Sequence, residues 1–246
     1  MTMLSDQDLI IPDWPAPANV RALQTTRSGG VSKAPYNSLN LGMHVGDVAL
    51  DVAANRQRLN RYVPTEPVWL NQVHGITVID AGTASCVPDA DAAYARTRHT
   101  VCAVMTADCL PVLICDKAGT IVSAVHAGWR SLLDGVIEET VAEMDKPGSD
   151  LLAWLGPAIG PDAFEVGDEV RRAFIARDAK AEQAFRPASA GKWLGDIFQL
   201  GRQRLANVGV SHIYGGGLCT YDDEERFFSF RRDESTGRMA SLIWLE

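Results

Sequence analysis

Residues 101–130 read VCAVMTADCLPVLICDKAGTIVSAVHAGWR. Apolar runs at 101–107, 110–115 and 120–125 follow one another, separated by Asp108-Cys109 and by Asp116-Lys117-Ala118-Gly119. Short apolar runs bounded by turn residues read as strands. The Asp-Lys-Ala-Gly turn folds 112–115 back on 120–125, which predicts an antiparallel hairpin. Beyond it, Leu132, Leu133, Val136, Ile137, Thr140, Val141 and Met144 recur at helical spacing up to Pro147-Gly148, predicting one helix there.

Working outward, Asp47 is placed to cap a helix reaching about Tyr62, with Leu50, Val52 and Leu59 on its apolar face. Further helices are predicted over 168–177 and 196–208, the second closed by Gly209. The 156–161 stretch reads as a rigid loop and Gly215-Gly216-Gly217 as a tight turn, and no repeat or linker interrupts the chain. Strands and helices alternate throughout, so the expectation is one α/β domain over 1–246.

Composition excludes several classes. With 246 residues, 46% of them hydrophobic, the chain can bury a large core. A net charge of −8 argues against nucleic acid and anionic membranes as partners. Met1 to Trp14 carries Asp6, Asp8 and Asp13 without a basic residue, unlike a secretory leader, and no run is long enough to span a bilayer. Five irregularly spaced cysteines suit a reducing cytoplasm rather than a disulfide framework.

Among only five histidines and five cysteines, His74, Cys109 and His126 each follow an apolar run. Strand ends aim side chains into clefts, and two imidazoles with one thiolate leave a fourth tetrahedral position free, as a catalytic zinc site requires. Pro111 interrupts the strand pattern beside Cys109 and suggests an irregular, exposed corner, and Ala127-Gly128 permits close backbone approach beside His126. Asp108, Asp91 or a backbone oxygen is expected to accept the outer N–H of one imidazole. Cys86, Cys102, Cys115 and Cys219 read as packing residues, and His44, His99 and His212 as surface residues. Arg130, at a helix start, could hold a phosphate. Arg231 and Arg232 follow Phe227-Phe228-Ser229-Phe230, an aromatic and basic cluster suited to a purine and a phosphate.

The motifs Asn71-Gln72-Val73-His74-Gly75, Thr106-Ala107-Asp108-Cys109-Leu110-Pro111 and His126-Ala127-Gly128-Trp129-Arg130 resemble the signatures of the laccase-domain family, also called multicopper polyphenol oxidase-like proteins. The resemblance extends to Arg27-Ser28-Gly29-Gly30-Val31-Ser32, Tyr36-Asn37-Ser38-Leu39-Asn40-Leu41-Gly42, Leu155-Gly156-Pro157-Ala158-Ile159-Gly160 and Phe227-Phe228-Ser229-Phe230-Arg231-Arg232. It departs at Ser131, where the family usually has Gly, and at Asp162-Ala163, where Cys is often found. It implies an α/β/β/α sandwich with mixed sheets and a buried active site, and zinc held by His74, Cys109 and His126. The implied reactions are purine nucleoside phosphorolysis with adenosine deamination and methylthioadenosine phosphorolysis beside it. The substrate contacts drawn from these motifs are Arg130, Asn40, Gln72, Ser229 and Arg231, with a nucleoside and phosphate as the only partners of a monomer.

Competing readings use the same residues. Two imidazoles and a thiolate also resemble a blue-copper set, which suits a polyphenol oxidase, although five histidines are few for a multicopper cluster. Cys109 activated by either histidine would give a thiol amidase acting on a peptidoglycan precursor. A non-catalytic zinc module would normally need a fourth protein ligand.

Overall fold

A computed structural model describes residues 4–246; the first three residues of the amino-terminal stretch lie outside it. The predicted hairpin is its centre. Leu110–Asp116 runs antiparallel to Val122–Ala127, with Val112 opposite Val125 and Ile114 opposite Ser123. Leu151–Leu155 pairs on one side and Ala92–Ala95 on the other, and His212–Gly215 and Val78–Asp80 complete a six-stranded sheet as parallel edges. A four-stranded antiparallel sheet combines Leu9–Ile10, Val20–Thr25, Met239–Leu245 and Cys102–Thr106. A third, small sheet joins Phe185–Pro187, Trp193–Gly195 and Glu165–Val166.

The central strands Leu110–Asp116, Val122–Ala127 and Leu151–Leu155 are buried at every position, Ser123 and His126 included, because both of their faces are covered. Successive side chains point to opposite faces. Leu113, Cys115, Val122, Ala124, Val104 and Ile243 meet between the two large sheets. Their neighbours Val112, Ile114 and Val125 face helices Asp168–Arg177, Val136–Met144 and Ile197–Asn207. On the far side, Ala103, Met105, Leu242 and Trp244 pack under Leu59 of helix Ala49–Leu59. The layers are helix, sheet, sheet, helix, a mixed α+β sandwich as the resemblance implies.

Several local expectations are corrected. The helix predicted over 132–144 is two helices, Trp129–Asp134 and Val136–Met144, broken at Gly135 with φ 114°. Its apolar period is unbroken because Leu132, Val136, Ile137 and Met144 enter one core on both sides of the bend. Asp47 does not cap the next helix, whose N-cap is Val48; its carboxylate accepts instead from Ser32 Oγ and Asn40 Nδ2. Leu50 is 81% exposed, since the buried face runs through Val52, Asn55 and Leu59. Asn55 belongs there because its amide serves the 31–40 loop, accepting from Val31 N and donating to Ser32 Oγ, Ser38 O and Asn40 O.

Pro111 is buried within its strand rather than at an exposed corner. It is tolerated as the second residue, before pairing with Leu151–Leu155 begins at Val112. The 68–73 run forms no strand, only isolated bridges from Val68 to Cys102 and from Asn71 to Asp89. Helices Asp168–Arg177 and Ile197–Asn207 follow the sequence closely, the second capped by Asp196 accepting from Gln199 N. Among the described residues no helix is long and apolar enough to cross a membrane.

Candidate metal centre

Three separate segments deliver the donor atoms. His126 ends the Val122–Ala127 strand and is buried; Cys109 follows the turn after Cys102–Thr106 and is half-buried; exposed His74 comes from the irregular segment before Val78–Asp80. One ligand atom from each lies within 4.8 Å of the others, and Cys109 Sγ is 3.7 Å from His74 Nε2. The two imidazoles meet edge to face with centroids 4.8 Å apart.

One carboxylate organises two of the three donors. Asp91, fully buried, accepts hydrogen bonds from the backbone N–H groups of Val73, His74 and Gly75 and lies 2.8 Å from His126 Nδ1. Its own carbonyl accepts from His126 N. The expected outer-nitrogen partner is therefore Asp91, which leaves Nε2 of His126 for a ligand. His74 has φ 60°, a left-handed conformation uncommon for a residue with a side chain, and the three N–H bonds to Asp91 hold it there. Burial opposes ionisation of Asp91, but His126 and the donated N–H groups outweigh it and hold the carboxyl below its ordinary value.

The neighbouring Asp108 also has a positive φ, 92°, and its carboxylate accepts from Thr220 Oγ1 and Arg231 N, so it anchors the Cys109 turn rather than a histidine. Burial opposes charge on both Cys109 and His126, yet their mutual attraction prevails, with the thiol held below and the imidazole above their usual values. Space for the cluster depends on Gly128: a Cβ there would stand 2.7 Å from His74 Cδ2 and 3.2 Å from Cys109 Sγ.

The donors open into a cavity of about 460 Å³. Arg130 and Arg231 line it. Arg231 is steadied by Nη1 donating to Ala163 O and Glu165 O, and Arg130 lies 4.3 Å over the Trp129 ring. The helix that starts beside Arg130 has only 6 residues, too short for the dipole argument made from the sequence. Gln72 lines the wall, but both ends of its amide are engaged by the Met105 backbone. Asn40 and Ser229 lie behind the wall: Asn40 Oδ1 accepts from Gly42 N and Arg238 N, and Ser229 Oγ caps helix Phe230–Asp233 through Arg232 N. These two act as supports. Arg232 points away, donating to Thr220 O, Tyr221 O and Phe227 O.

The sequence reading missed His44 and Arg238, both of which line the cavity. His44 is exposed, as His99 and His212 are, and only the tertiary fold reveals its second surface. Of the cysteines read as packing, Cys102 and Cys115 are buried. Cys86 is exposed on a loop, and half-buried Cys219 accepts from Gly160 N and Asp222 N.

The chain is 60% identical over 241 residues to a Shigella flexneri protein named purine nucleoside phosphorylase YfiH, covering 96% of this chain and 98% of that one. It is 38% identical over 232 residues to the Streptomyces griseus purine nucleoside phosphorylase ORF3, covering 90% and 93%. The crystal structure of a Neisseria meningitidis protein superposes with TM-score 0.95 at 50% identity, covering 97% of this chain and 99% of that one. YlmD from Geobacillus stearothermophilus superposes with TM-score 0.88 at 31% identity, covering 100% and 98%. With residues 21–246 matching its signature, the chain belongs to the family described as multi-copper polyphenol oxidoreductase laccase.

Proposed function

We propose that this chain is a zinc-dependent purine nucleoside phosphorylase, cleaving a nucleoside with inorganic phosphate to the free base and ribose 1-phosphate. One observation carries the reading: the His74, Cys109 and His126 donor set opens into a cavity walled by Arg130, Arg231 and Arg238 and by Trp129, Phe164 and Phe230. Guanidiniums suit phosphate, and aromatic rings suit a purine. The names of the curated relatives point the same way.

The donor chemistry fits zinc. Two imidazole nitrogens and a thiolate are borderline-soft ligands, Asp91 fixes the His126 tautomer, and Gly128 leaves the cluster clear. Zinc bound there would supply a Lewis acid with an open coordination position. The residues do the rest: Arg231 and Arg130 offer cations, Phe230 and Phe164 enclose the base, and Gln72 holds the Met105 edge of the wall. Adenosine deamination and methylthioadenosine phosphorolysis are proposed as side activities of this cavity. Five free cysteines support a cytoplasmic setting. Copper is the weaker choice, because His99 and His212 stand on the surface outside the cavity lining.

A second reading has its own observation. Asp91, His126 and Cys109 form an ordered carboxylate, imidazole and thiol series, as a cysteine hydrolase would use. Cys109→Ala and Cys109→Asp, assayed for zinc content and adenosine consumption, separate the two. A metal enzyme loses both properties in Cys109→Ala and retains part of each in Cys109→Asp. Full zinc with no turnover in Cys109→Asp favours the thiol hydrolase.

A further inference from the structure

The cavity does not end at the donor set. A second hollow, lined by Val45, Glu234, Ser235 and Thr236, shares His44, Phe230 and Arg238 with it. Arg238 therefore stands where the two spaces join. We propose that Arg238, assisted by His44, is the seat of the co-substrate phosphate, a role that rests on the phosphorylase reading above.

Several observations separate Arg238 from the other cations. Its position is built in: the backbone N donates to Asn40 Oδ1, and Nη1 donates to Thr236 O and Gly237 O. Its stem needs Gly42, where a Cβ would come within 2.9 Å of Arg238 Cγ. Neither carbonyl partner carries charge, and among the described residues no carboxylate forms an ion pair with it. Asp108, the acid of the cavity wall, is already engaged by Thr220 and Arg231. Burial disfavours the charge on Arg238, and Cys109 and Asp108 attract the guanidinium without an ion-pair contact, so an anion seated directly on it would complete a partly buried cation. Although His44 is exposed as a residue, partial burial of its ring, reinforced by Arg238 and Arg56, holds the imidazole below its usual value.

Arg231 and Arg130 are placed differently. Both are exposed and neither lines the second hollow, although Arg231 Nη1, like that of Arg238, donates to two carbonyls. In the reaction an oxygen of hydrogen phosphate forms a bond to C1′ as the C1′–N9 bond breaks. The electron pair leaves on N9, and the phosphate proton ends on the departing purine. Phosphate must therefore be bound beside the ribose and separately from the base, which the join between the two hollows allows.

The test is to titrate inorganic phosphate alone into the zinc-loaded wild type, Arg238→Gln and His44→Gln by calorimetry, and to measure KM for phosphate and for adenosine. Loss of a charge-assisted contact should weaken phosphate binding and raise its KM on the order of tenfold in Arg238→Gln, with the adenosine KM within about twofold of wild type. His44→Gln, an exposed substitution that leaves the core intact, should show a smaller change of the same kind and carries the test if Arg238→Gln does not fold. Unchanged phosphate binding in both variants, or parallel rises in the two KM values, overturns the assignment. Phosphate binding that depends on Arg238 without ribose 1-phosphate formation in the wild type would keep the anion seat and reject the phosphorylase reading.

Discussion

Two buried carboxylates stand at opposite ends of the central hairpin and use the same device for different ends. Asp116 closes the turn: it accepts from Thr120 N, Ile121 N and Thr120 Oγ1, with Lys146 Nζ at 3.6 Å. Asp91 accepts three backbone N–H groups and faces His126, but here the groups it holds carry the donor atoms. In both, hydrogen bonds to the charged form overcome burial and keep the carboxyl below its ordinary value. One end of the sheet is thereby closed by local bonds, and the other is held open around a reactive cluster.

Breaking the open end should have the largest effect. Cys109→Ala removes a donor outright, so zinc affinity should fall by more than the 10–100-fold typical of an outer partner, with melting temperature read alongside zinc content. Gly128→Ala keeps all three donors but inserts a methyl 2.7 Å from His74 Cδ2. Zinc binding should drop clearly, since no backbone at φ −58° resists alanine and the damage is confined to the cluster. Asp91→Asn should cost about 10–100-fold in zinc affinity, measured by competition with a chelator.

Asp116→Asn should show the converse. Zinc affinity should stay at the wild-type value, while urea unfolding loses about 1–3 kcal/mol from the weakened turn. The pH dependence has a definite sign. Because the folded-state pKa of Asp116 lies below its unfolded value, its stabilisation is present above about pH 4 and is lost as pH falls through the depressed folded value. Asp116→Asn should therefore flatten the acid limb of a stability profile below about pH 4. If the two variants exchange phenotypes, the division between the ends is wrong.

The same comparison explains what could be read from the sequence. The partners of Asp116 lie 4 and 5 residues away, so the turn and its hairpin are visible as a local pattern. The partners of Asp91 lie 16 to 35 residues away, and no periodicity announces them. His74, Cys109 and His126 were legible because their residue types are rare and each follows an apolar run. The strand expected before His74 was not found, because Asp91 shapes that segment through long-range bonds. The break at Gly135 was hidden since both helical pieces share one apolar face, and Arg238 was hidden because its cavity is assembled from segments nearly 200 residues apart, as its bond to Asn40 shows.

The central claim is that this cavity transfers a ribosyl group to phosphate with zinc on its three donors. Zinc-depleted and zinc-reloaded wild type, each incubated with adenosine in the presence and absence of phosphate, test it through the separated products. The account predicts adenine and ribose 1-phosphate in equal amounts, formed only when both zinc and phosphate are present. Ribose 1-phosphate formed equally well by the depleted protein, or its absence from the reloaded protein with phosphate, would contradict it.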